Sequence, residues 1–195
     1  MFSFLHNHKN LREEDFYGYA GMKTLQVIDI LSKKYQIIQK EKFSSDIFEI
    51  VSQIYSNNLE PVKGFENFIK NSKRNHFIGS NSNKDRIIEG LKIVGFSNYF
   101  SNDKIFSFDM VKNPKPEPDI YLKVINENKL RLEETIIIED SAIGVKAGYL
   151  AGIKVYGLTA GKHWHLNRDK NELYDNGALE IFDDYQSLRY AIEEL

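Results

Sequence analysis

The first part of the chain has the apolar periodicity of helices. Apolar residues recur three and four positions apart in 25–31 and again in 47–54, which is the spacing of one helix face. This pattern predicts an all-helical unit over residues 11–58. Ser44 or Ser45 is expected to cap its second helix, since either offers a side-chain oxygen to the open N–H groups of a first turn.

A polar stretch around Pro61, SNNLEPVKG, supplies the turn and breaker residues of a linker. Beyond it, short apolar runs alternate with helical stretches, which predicts a doubly wound α/β fold with a parallel sheet. The predicted strands are 76–79, 104–108, 136–138, 154–157 and 180–182, and the predicted helices lie near 63–73, 83–95, 117–128, 142–151 and 184–194. We therefore expect two domains, 1–60 and 61–195, with ligands at the carboxyl ends of the strands.

Composition narrows the class of partner. The chain has 195 residues, is 42% hydrophobic and carries a formal net charge of −2 without a basic block, so nucleic acid and anionic membranes are not expected as partners. The absence of cysteine excludes disulfides, a thiolate nucleophile and cysteine-bound zinc. The first ten residues lack the features of a signal peptide. We expect a cytoplasmic protein that is a monomer.

The first candidate site is HFIGSNSNKDRI, residues 76–87. Ser80 follows a strand, and Ser82 with Asp85 three residues later resembles a capping box for the next helix. Free N–H groups at such a helix start suit a phosphate. These serines could equally do no more than cap a helix, and the spacing alone does not decide between the two.

The second candidate is VKNPKPEPDIY, residues 111–121, in which prolines flank Lys115 on both sides. Proline fixes its own φ and restricts the residue before it, so the backbone that carries this lysine is stiff and can aim a point charge. Asp119 is expected in the first turn of the following helix, where its negative charge interacts favourably with the helix dipole. A solvated lysine in an ordinary helix entry is the alternative.

The third candidate is TIIIEDSAIGVKAG, residues 135–148. Glu139 and Asp140 directly follow a buried strand, and two adjacent carboxylates in a cleft repel each other unless a cation lies nearby. Because only hard oxygen ligands are on offer, Mg²⁺ is favoured over zinc or copper. The alternative is an acidic helix start that the dipole stabilises.

Together the three segments resemble motifs II, III and IV of the haloacid dehalogenase superfamily, and most closely its β-phosphoglucomutase and sugar-phosphate phosphatase branch. Residues 12–31 also resemble the helical cap of that branch. The resemblance implies that Ser80, with Asn81, binds the phosphoryl group and that Lys115 neutralises its charge. It makes Lys23, in the loop YAGMKT, a candidate contact to the substrate.

The same resemblance implies that Glu139 and Asp140 are magnesium ligands. It also implies a nucleophilic aspartate in a D-x-D-x-[TV] motif before the cap, which this sequence does not contain. Asp183 and Asp184 lack that spacing and are interpreted as a strand end and a helix cap.

In the family's sheet, the strand that carries this aspartate lies between the strands that end at Ser80 and Asp140. We therefore expect a slot in the core with unpaired strand edges on both sides. Residues 1–10 are not expected to fill it, because 6–10 are too polar for a buried parallel strand. We expect the chain to be truncated.

The predicted function is magnesium-dependent hydrolysis of a small phosphorylated metabolite of the sugar-phosphate class. This chain alone is expected to be inactive without its nucleophile. Mutase activity is less expected, because the arginine of the mutase cap loop is not evident. The alternative is a noncatalytic relic that binds phosphate or docks a partner. His163 and His165 could form a metal pair, but they are interpreted as part of a surface loop beside the site.

Overall fold

The computed structural model describes residues 19, 22–164 and 168–193, with the backbone alone at 50, 51 and 54–58. The expectation that residues 1–10 do not form a sheet strand lies outside these residues, as does His165. The chain divides into two compact units, Met1–Leu59 and Glu60–Leu195. In the part of the chain that is described, no helix has the length and apolar composition to cross a membrane.

The first unit contains two described helices, α1 (Thr24–Lys34) and α2 (Lys40–Asn58). They pack through Ile28 and Leu31 of α1 and Phe43 of α2, which are buried together. The prediction that Ser44 or Ser45 caps the second helix is wrong, because that helix begins earlier, at Lys40, and both serines lie inside it.

The second unit alternates strands and helices, as predicted. Its elements are α3 (Phe65–Asn71), β1 (Ile78–Ser80), α4 (Lys84–Ile93), β2 (Ile105–Ser107), α5 (Asp119–Asn128), β3 (Ile136–Glu139), α6 (Ala142–Leu150), β4 (Lys154–Leu158), α7 (Asn171–Asp175), β5 (Glu180–Phe182) and α8 (Tyr185–Glu193). Each predicted strand is found, and the short helix α7 was not predicted. The fold is therefore α/β with parallel strand pairing.

The described strands form two parallel sheets. In one, β1 pairs with β2 and Ser80 lies opposite Ser107. In the other, the order is β3-β4-β5 and Glu139 lies opposite Gly157. Within the described residues, β1 and β3 have no ladder to each other, and neither has a second ladder partner on that side.

Apolar layers cover both faces of the strands. On one face, α5 and α6 contribute Ile120 and Val145, both fully buried, to a cluster with Val155 of β4. On the other face, Leu188 of α8 and Phe182 of β5 pack with Phe68 of α3. Because the paired strands run parallel, their polar carboxyl ends lie at one edge of each sheet.

In the second unit, helix starts agree with the sequence in two cases and differ in one. Helix α5 begins at Asp119, and the Asp184 carboxylate accepts hydrogen bonds from the first turn of α8. The predicted capping box of Ser82 and Asp85 is wrong. Helix α4 is capped instead by Asn83, whose side-chain oxygen accepts from Arg86 N–H at 2.9 Å.

Candidate active site

Lys115 is buried at the edge where β1 and β3 end. Its side chain is 6% exposed, and its Nζ donates to the Gly79 carbonyl at 2.9 Å and to Glu139 Oε1. The ammonium therefore joins the end of β1 to the end of β3. Since a buried ammonium requires such partners, the interpretation of Lys115 as a solvated loop residue does not hold.

The Asn81 side chain holds the backbone of the lysine loop. Its amide donates to the Lys115 carbonyl at 3.1 Å, and its oxygen accepts from Lys115 N–H at 3.0 Å. Next to it, Ser80 Oγ accepts from the Ser82 N–H at 3.1 Å. A hydroxyl that accepts one hydrogen bond still has its own hydrogen to donate, so Ser80 can bind an anionic oxygen.

The Glu139 carboxylate receives hydrogen bonds at both oxygens. Oε1 accepts from Lys115 Nζ and from Tyr121 Oη at 2.5 Å, while Oε2 accepts from Ser141 Oγ at 3.1 Å and from Asp140 N–H at 3.2 Å. Burial raises the pKa of Glu139, but the Lys115 charge and the hydrogen bonds outweigh burial and leave this pKa below its usual value. Glu139 is therefore an ionised partner of Lys115.

Tyr121 comes from the third residue of α5 and lies under the same ammonium. The centre of its ring is 4.7 Å from Lys115 Nζ, a cation–π distance. Burial, the Glu139 charge and the hydrogen bond to Glu139 raise the pKa of Tyr121 well above its ordinary value. The phenol thus stays protonated and acts as a donor to Glu139.

The start of α6 completes the surroundings of Glu139. Ser141 caps the helix, because its Oγ accepts from the Gly144 N–H at 3.1 Å while it donates to Glu139. A Cβ on Gly144 would lie 2.0 Å from the carboxyl carbon of Glu139. Glycine is therefore required where the carboxylate lies against the first turn of the helix.

Asp140 differs from its neighbour in having an open carboxylate. Its side chain is 58% exposed, and its backbone carbonyl accepts from Trp164 Nε1 at 3.0 Å. The protein packed around Asp140 and the Glu139 charge raise the pKa of this carboxyl group, whereas the nearby His163 and Lys115 charges lower it. His163 Nε2 lies 3.5 Å from Asp140 Oδ2, so the loop interpreted as lying beside the site does contact it.

The donor set fits a hard divalent cation in part. Asp140 offers exposed carboxylate oxygens of the type that Mg²⁺ prefers, whereas both oxygens of Glu139 already accept hydrogen bonds. Among the described residues, no group of three or more acidic, histidine or cysteine side chains could hold a metal. The expectation that both carboxylates are ligands stays a prediction.

The structure brings most of the predicted site residues to one edge. Ser80, Asn81, Lys115 and Glu139 are linked by the contacts above, and Asp140 follows directly. Lys23 belongs to the helical unit, where its N–H lies 3.4 Å from Gln26 Oε1 at the start of α1. Its role as a substrate contact is untested.

Sequence reasoning missed three residues of this edge. Tyr121 and Ser141 both donate to Glu139, and Trp164 holds the Asp140 carbonyl. The signal for the first two was present, since Tyr121 lies in the segment of Lys115 and Ser141 follows Asp140 directly. Nothing in the local sequence of Trp164 points to Asp140, which precedes it by 24 residues.

Comparisons with known proteins identify the family of the chain. Residues 3–158 match the family model described as haloacid dehalogenase-like hydrolase. A phosphorylated carbohydrates phosphatase of Thermotoga maritima is 28% identical over 145 residues, which cover 72% of this chain. A 6-phosphogluconate phosphatase of Escherichia coli is 23% identical over 152 residues, 77% of this chain and 68% of that protein. The match spans 64% of the length of the Thermotoga protein.

A solved structure supports the fold. A conserved haloacid dehalogenase-like protein of unknown function from Agrobacterium tumefaciens superposes with a TM-score of 0.83 at 23% identity. The alignment covers 98% of this chain and 87% of that one. At this identity the similarity shows the architecture and not the chemistry.

Proposed function

The chain belongs to the haloacid dehalogenase-like hydrolases, and on that premise we propose that its site serves a magnesium-dependent phosphatase of a small phosphorylated metabolite, in the sugar-phosphate class. One observation carries the proposal. A buried ammonium is held at the edge where Ser80 retains a free hydroxyl hydrogen and Asp140 an open carboxylate. The ammonium and the hydroxyl donor suit the oxygens of a phosphoryl group, and the carboxylate suits the metal ion that accompanies it.

In the proposed site, Lys115 stabilises negative charge on the phosphoryl oxygens, and Ser80 donates to one of them. Asn81 keeps the lysine loop in place through its two bonds to the Lys115 backbone. Asp140 would hold Mg²⁺, which supplies further charge neutralisation when bound. Glu139 keeps Lys115 aimed at the edge, and Tyr121 supports Glu139.

A second candidate, binding without turnover, is favoured by the sequence itself. The family's covalent step needs the aspartate of a D-x-D-x-[TV] motif, and the sequence contains none. We therefore expect this chain by itself to bind phosphate and Mg²⁺ and not to hydrolyse phosphate esters. Cytoplasmic location and the monomeric state remain part of the proposal.

Calorimetry and a turnover assay separate the candidates. Inorganic phosphate should bind in the presence of Mg²⁺. Ser80→Ala should lower the affinity for phosphate about tenfold, because one charge-assisted hydrogen bond is lost. Asp140→Asn should instead lower the affinity for Mg²⁺. If the unchanged chain hydrolyses p-nitrophenyl phosphate and Lys115→Ala does not, the site uses a nucleophile other than the aspartate of the expected motif. If neither phosphate nor Mg²⁺ binds, both candidates are wrong.

A further inference from the structure

Trp164 joins the loop after β4 to the backbone of Asp140. Its indole Nε1 donates to the Asp140 carbonyl at 3.0 Å, and His163 Nε2 lies 3.3 Å from the same oxygen. On the other side of the residue, the Asp140 N–H donates to Glu139 Oε2 at 3.2 Å. The carboxylate itself is open to solvent, so its place depends on the backbone that these contacts hold.

A guanidinium covers the indole. Arg168 Cζ lies 4.0 Å from the centre of the Trp164 ring, which is a close cation–π contact. A positive charge over the ring draws electron density towards itself, so the indole N–H becomes a stronger donor to the Asp140 carbonyl. The stack therefore acts on both the position of the indole and the strength of its hydrogen bond.

Glu172 holds the guanidinium in that position. Its Oε1 accepts from Arg168 Nε at 2.8 Å and from Arg168 Nη2 at 2.5 Å. The next residue of α7, Leu173, is fully buried in the core and anchors this helix. A continuous set of contacts therefore leads from the core through the ion pair to the indole and the Asp140 carbonyl.

Stability alone does not account for an arginine here. The Arg168 side chain is only 7% exposed, and its Nη1 is buried with no hydrogen-bond partner in the described part of the chain. A buried donor without a partner lowers stability, and an apolar side chain of similar length would avoid that loss. This local conflict with stability favours a role in the site over a role in packing.

We propose that Arg168 is a positioning residue of the candidate active site, which acts through Trp164 to hold the Asp140 carboxylate where a divalent cation binds. The inference rests on the proposed function for the cation. The contacts from Arg168 to the Asp140 backbone do not depend on it and can be measured without metal. When the stack is removed, the indole can turn, and the Asp140 backbone loses a hydrogen bond that fixes it.

Nuclear magnetic resonance tests these contacts in the metal-free chain. Trp164 is the only tryptophan, so its indole N–H gives one resonance in a proton–nitrogen correlation spectrum. Arg168→Met should shift this resonance upfield and move the amide resonances of Asp140 and Ser141, because the cation over the ring is lost. Arg189→Met is a matched control, since it removes another arginine that pairs with a glutamate four residues later. It should leave these resonances in place.

Calorimetry with Mg²⁺ tests the role in the site. Arg168→Met should lower the affinity for Mg²⁺ about tenfold. Trp164→Phe keeps a ring without an N–H and should have the same effect, whereas Arg189→Met should have none. The urea midpoint of Arg168→Met should stay close to that of the wild type, because Glu172 is 33% exposed and water can replace its partner.

The outcomes separate this proposal from a structural role and from the proposed function. Asp140 resonances that stay in place in Arg168→Met would overturn the proposal. A lower urea midpoint with unchanged Mg²⁺ affinity would also overturn it, since that result indicates packing alone. If the resonances move as expected and the wild type binds no Mg²⁺, the contacts are confirmed and the proposed metal site is wrong.

Discussion

Lys115→Met removes the cation that compensates a buried carboxylate and keeps most of the aliphatic side chain. The two side chains of the ion pair are 6% and 9% exposed, so the remaining Glu139 charge would lose its counter-ion where water cannot replace it. Breaking a buried pair on one side typically costs about 3–5 kcal/mol of unfolding free energy. We expect the variant to lose that amount in urea unfolding followed by circular dichroism at pH 7.

A double variant tests whether the uncompensated carboxylate is the cause. In Lys115→Met combined with Glu139→Gln, neither side chain of the pair is charged. The double variant should therefore regain about 2 kcal/mol or more of unfolding free energy relative to Lys115→Met. Lys162→Met is a matched control, since the Lys162–Glu60 pair is 91% and 67% exposed and its loss should leave the unfolding midpoint nearly unchanged.

The pH dependence has a definite sign. With Lys115 present, the Glu139 pKa lies below its usual value, and its contribution to stability is lost as the pH falls through the folded-state pKa. Without the lysine, burial raises that pKa, so the single variant should be less destabilised at pH 5 than at pH 7. Equal losses in the single and double variants would refute the reasoning.

Two further changes test the packing around the site. Gly144→Ala should lower the unfolding free energy by about 1–3 kcal/mol despite alanine's better helix propensity, because the new Cβ would lie 2.0 Å from the carboxyl carbon of Glu139. Denaturant unfolding measures this loss, and an unchanged midpoint would contradict the prediction. Burial and the Asp140 charge raise the pKa of Tyr185 to about 12. The wild type should therefore lose about 2 kcal/mol of unfolding free energy through this group between pH 10 and 12, a loss absent in Tyr185→Phe when both are unfolded in urea across that range.

The sequence predicted strands well where burial makes them continuous apolar runs. Residues 136–138 are three isoleucines, and their strand differs from the predicted one only by the addition of Glu139. The two incorrect helix caps have a common reason. In each case several residues near the helix start could cap it, and the local sequence does not decide among them. One helix is capped by Asn83 and not by Ser82, and the other begins at Lys40, before the two serines.

The site was predictable as a set of residues and not as a network. Lys115 and Glu139 were expected at one edge because parallel strands share that edge. That Glu139 would be occupied by Lys115, Tyr121 and Ser141 could not be predicted, because these donors come from separate segments whose meeting depends on the packing of α5 and α6. In this structure Glu139 is the partner of the lysine, and its expected role as a metal ligand stays a prediction.

The bonds between Asn81 and the Lys115 backbone make two properties of the lysine loop separable. They use the N–H and carbonyl of residue 115 and are indifferent to its side chain. A substitution at 115 can therefore alter the charge presented at the edge while the loop keeps its path. A substitution at 81 has the opposite effect, since it displaces a lysine whose chemistry is unchanged. Position and charge at this edge can thus vary independently during evolution, each through a single residue.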